Sequence, residues 1–451
     1  MKRIFFLSAI ASALLLTGCG DATTDIVELE SIEITEDEDD HDHDSEYEIE
    51  SEGRLVVSDA ASDLFTVFDL DTNESLDSFS STFEGSSLSA SAGYRYAVIN
   101  NRSNDLTEFL DGGLWREDHV EHLHDYEQDP AFSDFTLIGS SPTHVITHDG
   151  QLAVFYDGDA DLGIPSAVQV VTDTQIASEI TDVPTLDFTI NMHGVAEPRG
   201  DMLITSVRRD DAETLSAATI LPDSVAVYHL HDDEYELEQS FDGECADLHG
   251  AAQNETAVAF GCGDGVLLLL EDDEVFSSSF IENIDVLDGV RVGSMYGHEH
   301  NEAFVGVASS HDGVGAILVS ISPTSQSMGL IDWQASEGAS PVAYGFSYEG
   351  EYLAILDNLG YVTLLEEHDE DGDVHWEFSQ KIDVANASAA ELEEGESFAM
   401  TASQHEEVLF ITNPVSQQVL SLSLDDMQVS EEISLDFTPA AVVWLGIAED
   451  H

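Results

Sequence analysis

The chain has 451 residues, 42% of them hydrophobic, enough apolar material for one large core or two ordinary ones. Against 93 Asp and Glu stand only 11 Lys and Arg, a formal charge of −82. So acidic a chain repels phosphate backbones, which excludes nucleic acid as a partner. The acids run along the whole length, as on surfaces that stay hydrated in high salt, so a lone carboxylate carries little information.

Residues 1–18 read as a signal peptide, with Lys2 and Arg3 ahead of an apolar run from Ile4 to Leu16. "LTGC" (Leu16–Cys19) resembles the bacterial lipobox, which makes Cys19 the lipid-bearing N-terminus of an exported, periplasmic, membrane-anchored protein. No later apolar run approaches the roughly 20 residues that span a bilayer. Residues 19–53 are acidic, rich in Ser and Glu, and poor in aromatics, the composition of a disordered tether. Within it "EDEDDHDHD" (Glu36–Asp44) offers His41 and His43 as a weak metal collector, or simply as part of a solvated spacer.

From Leu55 onward, over 54–451, short apolar runs alternate with turn residues and no helical period is sustained, so the body is all-β. One unit recurs: small-residue strand, polar turn, hydrophobic strand, second turn, further strand. It is seen at 88–110, 142–159, 191–210, 247–270, 290–321, 341–365 and 398–424. A spacing of roughly 40–55 residues is that of a β-propeller blade. A further blade comes from both ends, "TPAAVVWLGI" (438–447) inside and "RLVVSDAASDLFTVFDL" (54–70) outside. The expectation is an eight-bladed propeller, seven being the alternative count, closed by pairing the N- and C-terminal strands.

Laid over one another, the blades bring His144, His193 and His249 into register near the start of three consecutive inner strands. Equivalent positions in adjacent blades are neighbours around the channel and can share one ion. Residues 111–141 contain "WREDHVEHLHDYEQD" (115–129), with His119, His122 and His124, and read as a long connection between blades. Such a connection falls on the face where inner strands begin, beside the other three histidines. Imidazoles with at most one carboxylate suit Zn(II), with Cu(II) and Ni(II) as competitors. The alternative is that the channel histidines are neutral and hydrogen-bond neighbouring blades. Zinc held by imidazoles is expected to weaken as the pH falls through about 6.5. Cys245 and Cys262 flank a strand–turn–strand segment, and export favours a disulfide between them over a zinc-thiolate pair.

"FLDGGLWREDHVEHLH" (109–124), "PTHV" (142–145), "HGVAEP" (193–198) and "LHGAA…AFGCGDGVL" (248–267) resemble AztD-type zinc metallochaperones. The resemblance covers roughly 54–447. It implies an exported propeller that is not an enzyme and that passes zinc to the solute-binding protein of an ABC importer. It also implies a site of histidines and a carboxylate, here drawn from His119, His122, His124, His144, His193 and His249 with Asp118. The lipobox departs from the soluble members expected of that family. A monomer is expected. Two other classes stand beside this one: a metal-dependent, lactonase-like propeller hydrolase, and a protein-binding scaffold. No G-x-S-x-G and no Gly-rich phosphate loop occurs in the chain.

Overall fold

A computed structural model describes residues 49–118, 123–210, 220–272, 274–308, 315–370 and 372–448. Cys19, His41 and His43, and with them the signal peptide and most of the tether, lie outside the described residues. Among those described, eight four-stranded antiparallel sheets form a ring, with one extra two-stranded hairpin. The eight-bladed propeller is therefore the fold.

The second and third strands of each blade are rich in apolar residues because both of their faces are covered. In one blade Val258, Phe260, Leu267 and Leu269 pack toward the preceding sheet. Their alternates Ala257, Ala259, Val266 and Leu268 pack toward the following one. Side chains that alternate with period two thus build two separate blade-to-blade interfaces from one run of sequence. Outer strands have only one covered face. Glu74–Ser80 and Gln428–Ser434 are exposed over most of their length, and carry Glu, Asp and Ser accordingly.

Ring closure follows the sequence expectation. Pro439–Leu445 is the inner strand of the closing blade and pairs with Arg54–Asp59, setting Leu55 opposite Trp444 and Val56 opposite Val443. Trp444 is buried, its indole N–H donates to the Glu52 carbonyl at 3.0 Å, and its ring meets Tyr94 edge-on at 5.8 Å. Cys245 and Cys262 form a disulfide that ties the segment entering one inner strand to the end of the strand beside it. Closing that short loop stabilises the fold by about 3 kcal/mol.

The segment 111–141 differs from expectation. Ala131–Ile138 is the outer strand of the blade that begins at Ser87–Ala90, so the insertion lies inside that blade, between its third and fourth strands. Its alternating exposure disguised it as loop. Only residues 139–141 join this blade to the next.

Trp444→Ala removes a large buried side chain from the closing pair and is expected to cost about 3–5 kcal/mol. Equilibrium urea unfolding of purified protein measures this as a lowered midpoint.

Candidate metal centre

His144 lies near the start of the inner strand Pro142–His148, and His193 and His249 lie just ahead of Ala196–Arg199 and Ala251–Gln253. The His249 amide donates to the Gly261 carbonyl at 3.1 Å, which fixes its backbone against the neighbouring strand. The three rings converge, with centroids 5.0 Å apart for His144–His193, 4.9 Å for His193–His249 and 6.0 Å for His144–His249. The Nε2 atoms of His144 and His193 are 3.4 Å apart. Two nitrogens bound to one tetrahedral zinc at its usual bond length sit about 3.4 Å apart. As the side chains stand, no group of three or more His, Cys, Asp or Glu among the described residues is placed to hold a metal ion. Small ring rotations would have to draw the third imidazole in.

The opposite edges of two rings are already held. His193 Nδ1 lies 2.9 Å from Asp157 Oδ2, and His249 Nδ1 lies 2.8 Å from the Gly293 carbonyl oxygen. A neutral imidazole that donates through Nδ1 presents a lone pair at Nε2, the tautomer a metal requires. Asp157 is buried, and Arg102 donates to the same Oδ2 at 2.7 Å. Its Oδ1 is enclosed and has no hydrogen-bond partner among the described residues. Burial pushes the Asp157 carboxyl up, but the hydrogen bonds from His193 and Arg102 outweigh it and hold the group below the usual carboxylate range. Burial, then the neighbouring His193 and His249, lower His144 to about 4. Burial also lowers His249, with Arg291 assisting and the Gly293 carbonyl opposing.

The insertion stands elsewhere. Strand direction alternates within each blade, so first–second and third–fourth connections share one face, and blade-to-blade connections share the other. The insertion joins a third strand to a fourth, on the hairpin face, and the Gly112 amide bonds the Arg95 carbonyl of a first–second turn at 2.8 Å. His124 is therefore across the ring from His144, His193 and His249, not beside them as its position between repeats implied. His119 and His122 lie outside the described residues, and Asp118 ends the strand Leu114–Asp118 on this same excursion.

Leu114–Asp118 pairs with Leu123–Glu127, placing Trp115 opposite Tyr126 and Arg116 opposite Asp125. Trp115 and Tyr126 stack at 5.0 Å, His124 stacks on Tyr126 at 4.6 Å, and the Arg95 guanidinium covers Trp115 at 3.8 Å. Arg116 clamps Asp125 with two bonds, at 2.6 and 3.2 Å, and the Ile49 amide donates to the same carboxylate at 2.9 Å. Gly113 turns into this hairpin at φ +82°, where a β-carbon would strike the Gln128 carbonyl. The buried Arg54 donates to the carbonyls of Gly112 and Gln128 and anchors the base to the closing blade.

No family model matches the chain. The zinc chaperone AztD of Citrobacter koseri is 20% identical over 406 residues, 87% of this chain and 86% of that protein. Two structures of C. koseri AztD, one of them the apo form, superpose with a TM-score of 0.69 at 18% identity, over 88% of this chain and 99% of theirs. The propeller body is AztD-like. A wider likeness, TM-score 0.54 at 9% identity over 88% of this chain and 77% of the other, links the fold to the dihydro-heme d1 dehydrogenase NirN.

Against that AztD-like frame, the one site residue that sequence reasoning missed is Asp157. Its position, the end of a second strand, recurs as Asn101, Asp357 and Asn413, whose side chains accept from amides of their own turns. An acid there reads as a turn former. Only the fold shows that Asp157 turns outward to His193 and Arg102 instead.

The displaced His144 sets a pH dependence for the metal-free protein. Its folded pKa lies below the unfolded value of 6.5, so its contribution is fully present above pH 6.5 and is lost as the pH falls toward 4. The loss amounts to about 3 kcal/mol. In His144→Gln this component is absent, so the gap in unfolding free energy between wild type and variant changes across that window, as unfolding curves at stepped pH measure.

Proposed function

We propose that this chain is an exported zinc carrier of the AztD type that holds Zn(II) as cargo on His144, His193 and His249 at the blade-connection mouth of the channel. The observation that carries the reading is the convergence of three imidazoles, two of them oriented from behind by Asp157 and the Gly293 carbonyl. Similarity to a zinc chaperone over most of both chains supports the same cargo. With Asp157 committed behind the His193 ring, the fourth position is left to water or to a ligand from the receiving partner. Zinc would replace the separation of lone pairs that the empty triad must maintain, and its charge would be met by Asp157.

His124 belongs in this reading to a separate point of contact on the hairpin face, since it lies across the ring from the channel triad, while His119 and His122 lie outside the described residues. The receiving partner is the solute-binding protein of an ABC zinc importer, and Cys19 carries the lipid anchor that keeps the chain at the membrane in the periplasm. His41 and His43 on the tether are weak collectors. Release proceeds by contact: an incoming ligand from the partner enters at the open mouth and replaces one imidazole at a time. The role is carriage and not catalysis.

The lowered affinity of His144 and His249 for protons moves the acid limit of zinc binding below the ordinary imidazole range. The acid limit of zinc binding is expected to lie below pH 6.5, as competition with a chromogenic chelator at stepped pH would read. His193→Ala with His249→Ala should abolish tight zinc binding, while His124→Ala should leave the channel ion in place. If the double variant binds zinc as tightly as wild type, the triad is not the site. Asp157→Asn should weaken binding by about 10–100-fold, the usual effect of removing the group behind a metal-binding histidine. Transfer is tested by mixing zinc-loaded protein with the metal-free solute-binding protein and following zinc into the latter.

A further inference from the structure

At the hairpin mouth, opposite the histidine triad, the channel holds a cavity of about 740 Å³, within the range of small-molecule sites. Its wall is aromatic. Tyr296 and Tyr344 stack at 4.7 Å, and Phe346 and Trp444 from inner strands and Tyr94 from a first–second turn extend the wall. Tyr94 is held by a hydrogen bond from its hydroxyl to Gln404 at 3.1 Å. No lysine or arginine lines the cavity among the described residues, whereas Asp149, Glu197 and Glu299 do.

Glu197 is the decisive group. It sits on the inner strand Ala196–Arg199, is 2% exposed, and lines the cavity. Oε2 accepts from Gln253 at 3.0 Å, but Oε1 has no partner among the described residues. The nearest cation, Arg199, is committed elsewhere: it donates to Glu271 at 2.5 Å, to Gln253 at 3.1 Å and to the Asn254 carbonyl at 2.8 Å. A buried carboxylate without its own counter-charge is costly unless it is protonated or met by a cation.

We propose that this cavity is a second ligand site, selective for a small organic ammonium ion, with Glu197 as the counter-charge and the Tyr296, Tyr344 and Phe346 rings as the surface that faces the cation. Aromatic faces attract a weakly hydrated cation that has shed its water. A bare divalent metal needs several hard oxygens at once, and Glu197 has one free. The cavity is also far larger than an ion. Burial raises the Glu197 carboxyl to about 7, against the Gln253 hydrogen bond and Arg199. Arg199 lies on the same strand as Glu197, and the other acidic and imidazole side chains of the cavity are His148 and Asp149 of the preceding blade's turn and His298 and Glu299 beyond Gln253. Binding a cation therefore displaces the Glu197 proton into solvent, and affinity rises with pH through that range.

The test is calorimetric titration of the full chain with choline, its neutral isostere 3,3-dimethyl-1-butanol, and Nα-acetyl-lysinamide. Choline should bind saturably and at least about tenfold more tightly than the neutral isostere. Glu197→Gln should weaken choline by about tenfold and flatten its pH dependence, and Tyr296→Leu should weaken it similarly while Glu197 is retained. The His193→Ala, His249→Ala variant should bind choline normally, so this site and the zinc site fail or succeed separately. Tighter binding of choline than of the lysine amide supports a free quaternary ammonium ligand, and the reverse order supports a lysine side chain presented by a protein. Equal binding of choline and its neutral isostere, or a Glu197→Gln variant indistinguishable from wild type, overturns the proposal.

Discussion

Pairing of Arg54–Asp59 with Pro439–Leu445 turns a string of sheets into a ring, and everything at the channel depends on that closure. A single blade cannot bring three imidazoles together. Its inner strand contributes one position at each mouth, and only neighbours held at a fixed angle complete the set. The apolar runs that build the interfaces between blades therefore act on the histidine cluster at a distance. They fix the separation of His144, His193 and His249 more than any contact among the rings does. Trp444 and Arg54 belong to the same device, since one locks the closing strand and the other ties the insertion to it.

The two mouths of the channel have different chemistry although the same strands line both. The inner strand Ala196–Arg199 shows this in few residues: His193 precedes it at one mouth, Glu197 faces the cavity at the other, and Arg199 is spent on the next blade. Antiparallel pairing allows such separation. Residues that begin an inner strand and residues that end it lie on opposite faces, however close they are in sequence.

Much of this was legible in the sequence. The blade count came from repeated apolar runs, which both covered faces of the middle strands make conspicuous. The register of His144, His193 and His249 came from laying those runs over one another, because a propeller repeats its geometry as faithfully as its pattern. The disulfide followed from two cysteines flanking a strand pair, behind an N-terminal segment that reads as a signal peptide. What was not legible shares one cause. Ala131–Ile138 has a single covered face, so in a chain with acids everywhere its alternation resembled loop, and the insertion was assigned to the wrong side of the ring. Asp157 was lost in the same background, since Asn101, Asp357 and Asn413 at equivalent places only cap turns. Glu197 gave no sign either, because burial and not residue type makes it unusual.

The Cys245–Cys262 bridge has a consequence for how the blade that carries His249 can be watched. Both cysteines are wholly enclosed, at 0% exposure. Thiol–disulfide exchange needs an attacking thiolate to reach a sulfur directly, which the closed blade prevents. A reductant therefore finds the bond only during those moments when the blade opens. The rate of reduction under native conditions becomes a clock for the breathing of the element that presents His249, read without any label on the imidazoles themselves.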